Sequence, residues 1–236
     1  MSNAPQPSRL LALFVAMVVV GGSAVLGAAL ISWDGDDLPL VVVLAMMAVA
    51  FEYFDFGPYP NSRVSLSIGA ITTAAIVAGF PGIAIVCTAA VAAQYAAHPK
   101  PPLKVAFNEG THLLAGAAAL GVFRAFGDGY GAGEWPRFLA PALLGGAAFF
   151  AVNSALVAIA IAIDKRMNPV TVWTRSFSWI APHYVLVGMI AAAMATAYDE
   201  WNLAGLGLPL VPLLMVWVIM KQRATPVRTA AAAGAG

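Results

Sequence analysis

Residues 64–98, VSLSIGAITTAAIVAGFPGIAIVCTAAVAAQYAAH, form an apolar run interrupted only by Phe80-Pro81-Gly82. About 20 apolar residues in a helix cross a hydrocarbon core of about 30 Å, so the run is too long for one straight crossing. Pro81 lacks a backbone N–H and Gly82 tolerates turn geometry, so the triplet divides the run. Two folds follow. Either 64–80 and 82–98 each span a bilayer, or together they form a re-entrant hairpin that enters and leaves by one face.

The surrounding chain sets the class. Of 236 residues, 61% are hydrophobic and 10% charged, against about 25% charged in a soluble domain, and the mean hydropathy is +0.84. This composition is that of an all-α polytopic transmembrane helix bundle. The net charge of +1 leaves no basic surface of the size that nucleic acid requires, and no polar stretch is long enough to fold a second core. The one cysteine, Cys87, lies within an apolar run, which excludes disulfides within the chain and a Cys-x-x-Cys redox site.

Apolar runs of spanning length occur at 10–32, 38–56, 64–80, 82–98, 105–126, 138–163, 177–198 and 203–220, giving eight spans, or six if 64–98 is re-entrant. The breaks carry turn chemistry: DGDD, GPYPNS, FPG, HPKPP, GDGYGAGEWP, DKRMNP and DEWN. The expected organisation is a cytoplasmic leader at 1–8, the bundle at 9–222 and a disordered cytoplasmic tail at 223–236. The first run is longer than a signal-peptide core and reads as a retained helix; cleavage near Ala24 is the alternative.

Charge gives the sidedness. With the N-terminus inside, ten of the twelve Lys and Arg residues fall on the cytoplasmic side, and only Arg124 and Arg137 fall outside. Basic residues gather in cytoplasmic loops, so both termini are expected inside and the protein in a bacterial inner membrane. Trp33, Trp135 and Trp201 at the outer boundary, and Trp173 and Trp179 at the inner one, fit aromatic belts. Ser23-x-x-x-Gly27, Ala117-x-x-x-Gly121, Ala142-x-x-x-Gly146 and Gly188-x-x-x-Ala192-x-x-x-Thr196 offer small faces for close helix packing.

On this map the intramembrane polar side chains collect in the cytoplasmic half. Within KVAFNEGTHLLAG, 104–116, Glu109 lies about 6 Å and His112 about 10 Å into its helix at 1.5 Å per residue, and Asn108 lies beside them. Asn153 lies roughly 15 Å from the inner end of the sixth span, His183 about six or seven residues into the seventh, and Glu52 near the inner end of the second. Ionisable groups in hydrocarbon are costly and face a bundle interior or a wet cavity. The six residues Asn108, Glu109, His112, Asn153, His183 and Glu52 are therefore the candidate lining of a cytoplasm-facing ligand pocket. The competing reading is that Glu109 bonds His112 and a neighbouring helix and only fixes packing.

Catalytic and cofactor chemistry finds little purchase. The His-Glu-x-x-His, Gly-x-x-x-x-Gly-Lys and Gly-x-Ser-x-Gly motifs are absent. Glu109-x-x-His112 is half of a di-metal signature that requires the motif twice, and no Lys within a span offers a Schiff-base site. No enzyme activity, metal or cofactor is expected.

The segment NSRVSLSIGAITTAAIVAGFPGIAIVCTAAVAAQYAAHPKPPLKVAFNEGTHLLAGAAALGVFRAF, about a third of the chain, resembles the multi-pass (MASE-like) membrane region found N-terminal to HD-type phosphohydrolase and GGDEF domains in bacterial signalling proteins. The resemblance rests on an apolar hairpin with a Pro-Gly turn, a basic loop, and Pro102-Leu103-Lys104 followed by Phe107-Asn108. It implies a sensor or anchoring module. Only KQRATPVRTAAAAGAG follows Met220, so the expected output runs through a cytoplasmic or membrane signalling partner, with an unknown small ligand as the signal. A substrate-binding subunit of an energy-coupling-factor transporter and a structural scaffold are the rival classes.

Overall fold

The structure, a computed structural model, describes residues 8–53, 56–59, 62–64, 67–127 and 129–208, with the side chains of 56–59, 62–64, Pro182, His183 and Val185 outside that description. It is a helical bundle. The helices are α1 (Arg9–Ile31), α2 (Leu38–Tyr53), α3 (Ser67–Ala97), α4 (Pro102–Ala125), α5 (Leu139–Lys165), α6 (Pro169–Ser176) and α7 (Ala181–Gly205). A small antiparallel hairpin, β1 (Phe56–Tyr59) with β2 (Ser62–Val64), joins α2 to α3.

Among the described residues α1, α3 and α5, with 23, 31 and 27 residues, are long and apolar enough to cross a membrane, and α2 is an apolar helix of 16 residues. Leu13, Met17 and Val20 of α1 and Leu186 and Met189 of α7 lie exposed on the outside of the bundle. The interior is equally apolar: Leu40, Leu44, Ile71, Ile83, Leu113 and Phe149 are fully buried and pack as one core.

The 64–98 run resolves into a helical hairpin. Helical hydrogen bonding is continuous enough for α3 to read as one element, but Gly79 has φ 58° and ψ −141°, well outside helical geometry. A methyl group added at Gly82 would lie 2.6 Å from the Ala74 carbonyl oxygen. Residues eight apart in a straight helix are about 12 Å apart, so the chain folds back at Gly79. Gly79 supplies the positive φ that other residues resist, and Pro81, two residues on, sits where a new helix has no N–H to satisfy. The break therefore falls at Gly79, one residue before the Phe80-Pro81-Gly82 triplet.

The ends of the bundle can be named from α1: proximal where it starts, distal where it finishes. Ser67, at the start of α3, bonds Glu52 near the end of α2, which is proximal. The turn at Gly79–Pro81 lines a cavity with Ser32, Asp37 and Arg124, which is distal. The second limb then returns to Ala97. The hairpin thus starts at the proximal end of the bundle and turns at the distal end.

Backbone approach follows the small residues in part. A Cβ on Gly146 would fall 3.0 Å from the Gly188 Cα, and one on Gly188 would fall 2.8 Å from the Ala142 oxygen, so the expected faces of α5 and α7 meet. Gly27 and Gly121 have nothing within 4 Å; those two faces carry no contact at their glycines. Instead Gly22 of α1 meets Gly110 of α4, where an added Cβ would fall 2.6 Å from the Gly110 Cα.

Three further boundaries differ from the hydropathy map. DKRMNP is followed by the short helix α6, capped by Asn168, whose Oδ1 accepts the Val170 N–H at 2.8 Å, with Pro169 in the first turn. The seventh run becomes helical only at Ala181, after a 3-10 turn over Ser178–Ile180. Near its end α7 bends back at Trp201 and Asn202, and of the run 203–220 only 203–208 fall within the described residues. The tail at 223–236 lies wholly outside them.

Candidate functional site

The proximal half of α4 carries the polar cluster. Pro101 and Pro102 start the helix, which sets Asn108, Glu109 and His112 in its second and third turns. Glu109 and His112 share a face, yet they do not serve one another. Glu109 Oε1 meets Thr88 Oγ1 on α3 at 2.8 Å, and the same hydroxyl lies 2.8 Å from the Ala84 carbonyl one turn back. His112 Nδ1 donates to the Asn108 carbonyl at 2.8 Å, an oxygen that also accepts the Thr111 hydroxyl at 2.8 Å. With the hydrogen on Nδ1, a neutral ring keeps Nε2 as an acceptor. The imidazole stands edge-on to Phe149 of α5, ring centres 6.2 Å apart.

Asn153 lies on α5, antiparallel to α4. Gly145 packs on Ala119 and Phe149 on His112, so one further turn of α5 brings Asn153 to the level of Asn108–His112. Its Oδ1 is buried with no hydrogen-bond partner among the described residues. The neighbouring Ser154 is fully engaged: its hydroxyl donates to the Phe150 carbonyl at 2.6 Å and accepts Trp173 Nε1–H at 2.9 Å. Trp173 therefore ties α6 to α5 rather than serving only as a belt residue. Tyr184 on α7 packs against Phe150 with ring centres 4.4 Å apart.

Glu52 accepts the Ser67 hydroxyl and lies, with Lys100, within electrostatic range of His112. His183 is in the first turn of α7, and its side chain lies outside the described residues. The structure thus sets Asn108, Glu109, His112 and Asn153 along one α4–α5 level, with Glu109 turned to α3 and Glu52 on the α2–α3 side. Among the described residues no three metal-capable side chains converge.

A second polar locus, which the sequence did not single out as a site, lies at the distal end. A cavity of about 330 Å3 is lined by Ser32 at the end of α1, Asp37 before α2, residues 76–81 of the α3 turn, and Leu120, Phe123 and Arg124 of α4. The Arg124 guanidinium sits 5.7 Å from the centre of the Phe80 ring. Burial, followed by the charges of Asp34 and Asp36, pushes the Asp37 carboxyl above its ordinary value of 3.8. The signal available in sequence was Arg124 itself, one of the two cations that break the charge asymmetry of the loops. A third hollow, apolar and about 360 Å3, lies between α5 and α6 around Ala155, Ile159, Val170 and Trp173.

No protein-family model, characterised protein or solved structure matches this chain.

Proposed function

We propose that the chain is a multi-pass inner-membrane protein of eight spans with both termini cytoplasmic, acting as a stand-alone sensor-like or ligand-binding module. Its pocket faces the cytoplasm and is lined by Asn108, His112 and Asn153, with Glu109, Glu52 and His183 at its margins. The observation that carries this reading is the orphaned Asn153 Oδ1. A buried carbonyl oxygen without a donor costs about 1–3 kcal/mol, a penalty that packing alone has no reason to retain, and a ligand N–H or O–H removes it. The resemblance of residues 61–126 to membrane regions of signalling proteins supports the sensor class, with output through a partner.

Accessibility tests the pocket. Asn108→Cys, His112→Cys and Asn153→Cys in a Cys87→Ser background are expected to react with a membrane-impermeant maleimide applied to inside-out vesicles. If all three stay unreactive from that side, the residues only hold helices together.

Transport is the second reading, favoured by the distal cavity. A substrate-binding subunit takes its ligand from outside, and on this topology Asp37 and Arg124 face outward. Co-purification with an ATPase pair and a coupling subunit separates that class from signalling.

A further inference from the structure

The distal cavity holds two opposite charges that do not neutralise one another. Asp37 and Arg124 both line it and form no ion pair with each other, and the charges that act on Asp37 are those of Asp34 and Asp36. Arg124 is instead held against the Phe80 ring, and a methyl group at Gly79 would come within 3.2 Å of its Nη2. The guanidinium therefore stands against the turn. Ile76, Val77, Leu120 and Phe123 also line the cavity.

We infer that this cavity binds a small zwitterion, its anionic group on the Arg124 guanidinium and its amine on the Asp37 carboxylate. A guanidinium offers a planar fork of donors that matches a phosphate or carboxylate. An ammonium beside Asp37 offsets the repulsion from Asp34 and Asp36. The volume is at the small end of ligand sites, which suits a head group or a small solute. The inference is independent of the proximal cluster and of which end faces the cytoplasm. Two sources carry the same chemistry: the head of an amine-bearing phospholipid such as phosphatidylethanolamine, and a free amino-phosphate or amino acid.

The experiment uses the full chain and two arms. In detergent, titration calorimetry measures O-phosphoethanolamine and inorganic phosphate. Arg124→Gln is expected to weaken both by about ten-fold or more, as loss of a charged hydrogen-bond partner does. Asp37→Asn is expected to weaken O-phosphoethanolamine alone and leave phosphate unchanged, a split that a purely structural role would not produce. Native mass spectrometry from nanodiscs of mixed phosphatidylethanolamine and phosphatidylglycerol forms the lipid arm. Selective retention of phosphatidylethanolamine, lost in both variants, identifies the lipid as the source, whereas variant-dependent binding in the calorimeter alone identifies a free solute. Arg124→Lys keeps the charge and guards against misfolding of the Gln variant; it is expected to bind with intermediate affinity. Binding in neither arm, or binding that Asp37→Asn and both Arg124 variants leave unchanged, overturns the assignment.

Discussion

A carboxyl group whose folded-state pKa is raised is less stable in the folded protein when it is ionised. For Asp37 the causes are burial first and then Asp34 and Asp36. The stabilising contribution is complete below the ordinary aspartate value of 3.8 and is lost as pH rises through the folded value. Asp37→Asn removes that loss, so the variant is expected to unfold at a higher temperature than the parent at pH 7, with the gap closing as pH approaches 4. A gap of constant size across that range would contradict the sign. Glu109 shows how far residue types alone can mislead. Its three-residue spacing from His112 put both on one face, but the carboxyl reaches across to Thr88 while His112 turns to its own backbone. Thr88 keeps the Ala84 carbonyl as a partner, so Glu109→Leu leaves no stranded group. Its cost in thermal unfolding is expected to be near the 0.6 kcal/mol average for such bonds in membrane bundles, about the same as for Thr88→Val.

At the level of elements, glycine decides which helices touch. Gly146 and Gly188 lie against each other's backbone, where no side chain can rotate away. Gly188→Ala and Gly146→Ala are each expected to destabilise the fold by about 1–3 kcal/mol, the usual range for overpacking. Gly27→Ala and Gly121→Ala meet open space and are expected to be neutral or to gain up to about 1 kcal/mol from helix propensity. Equal losses at all four positions would mean that spacing, not contact, governs stability. Hydropathy made the helices legible because each apolar run has one dominant length, and it located the break at 80–82 to within a residue. It missed α6, since eight residues with an Asn-Pro start look like the tail of a turn, and because what holds it to the bundle is tertiary: Val172 buried with Ala158 and Ala162 of α5, and the bond from Trp173 to Ser154. The distal cavity was invisible for another reason: Asp37, Gly79 and Arg124 are joined only by the tertiary fold.

For the molecule as a whole, the distribution of Lys and Arg makes a testable map. Reporter fusions after Lys100, Lys165 and Arg228 are expected to report cytoplasm, and fusions near Asp36 and Gly131 the opposite side; a cytoplasmic signal at Gly131 would reverse it. The hairpin of α3 adds a demand that belongs to synthesis rather than to the finished fold. Its first limb, residues 67–78, rises only about 18 Å at 1.5 Å per residue, too little to cross a core of about 30 Å unaided. The second limb, residues 80–97, is of nearly full crossing length. A nascent chain that has emerged only as far as Gly79 therefore holds a segment with no stable transmembrane position of its own. On the proposed topology, the translocon would have to retain that segment until residues 80–97 have been translated, and then release the two together.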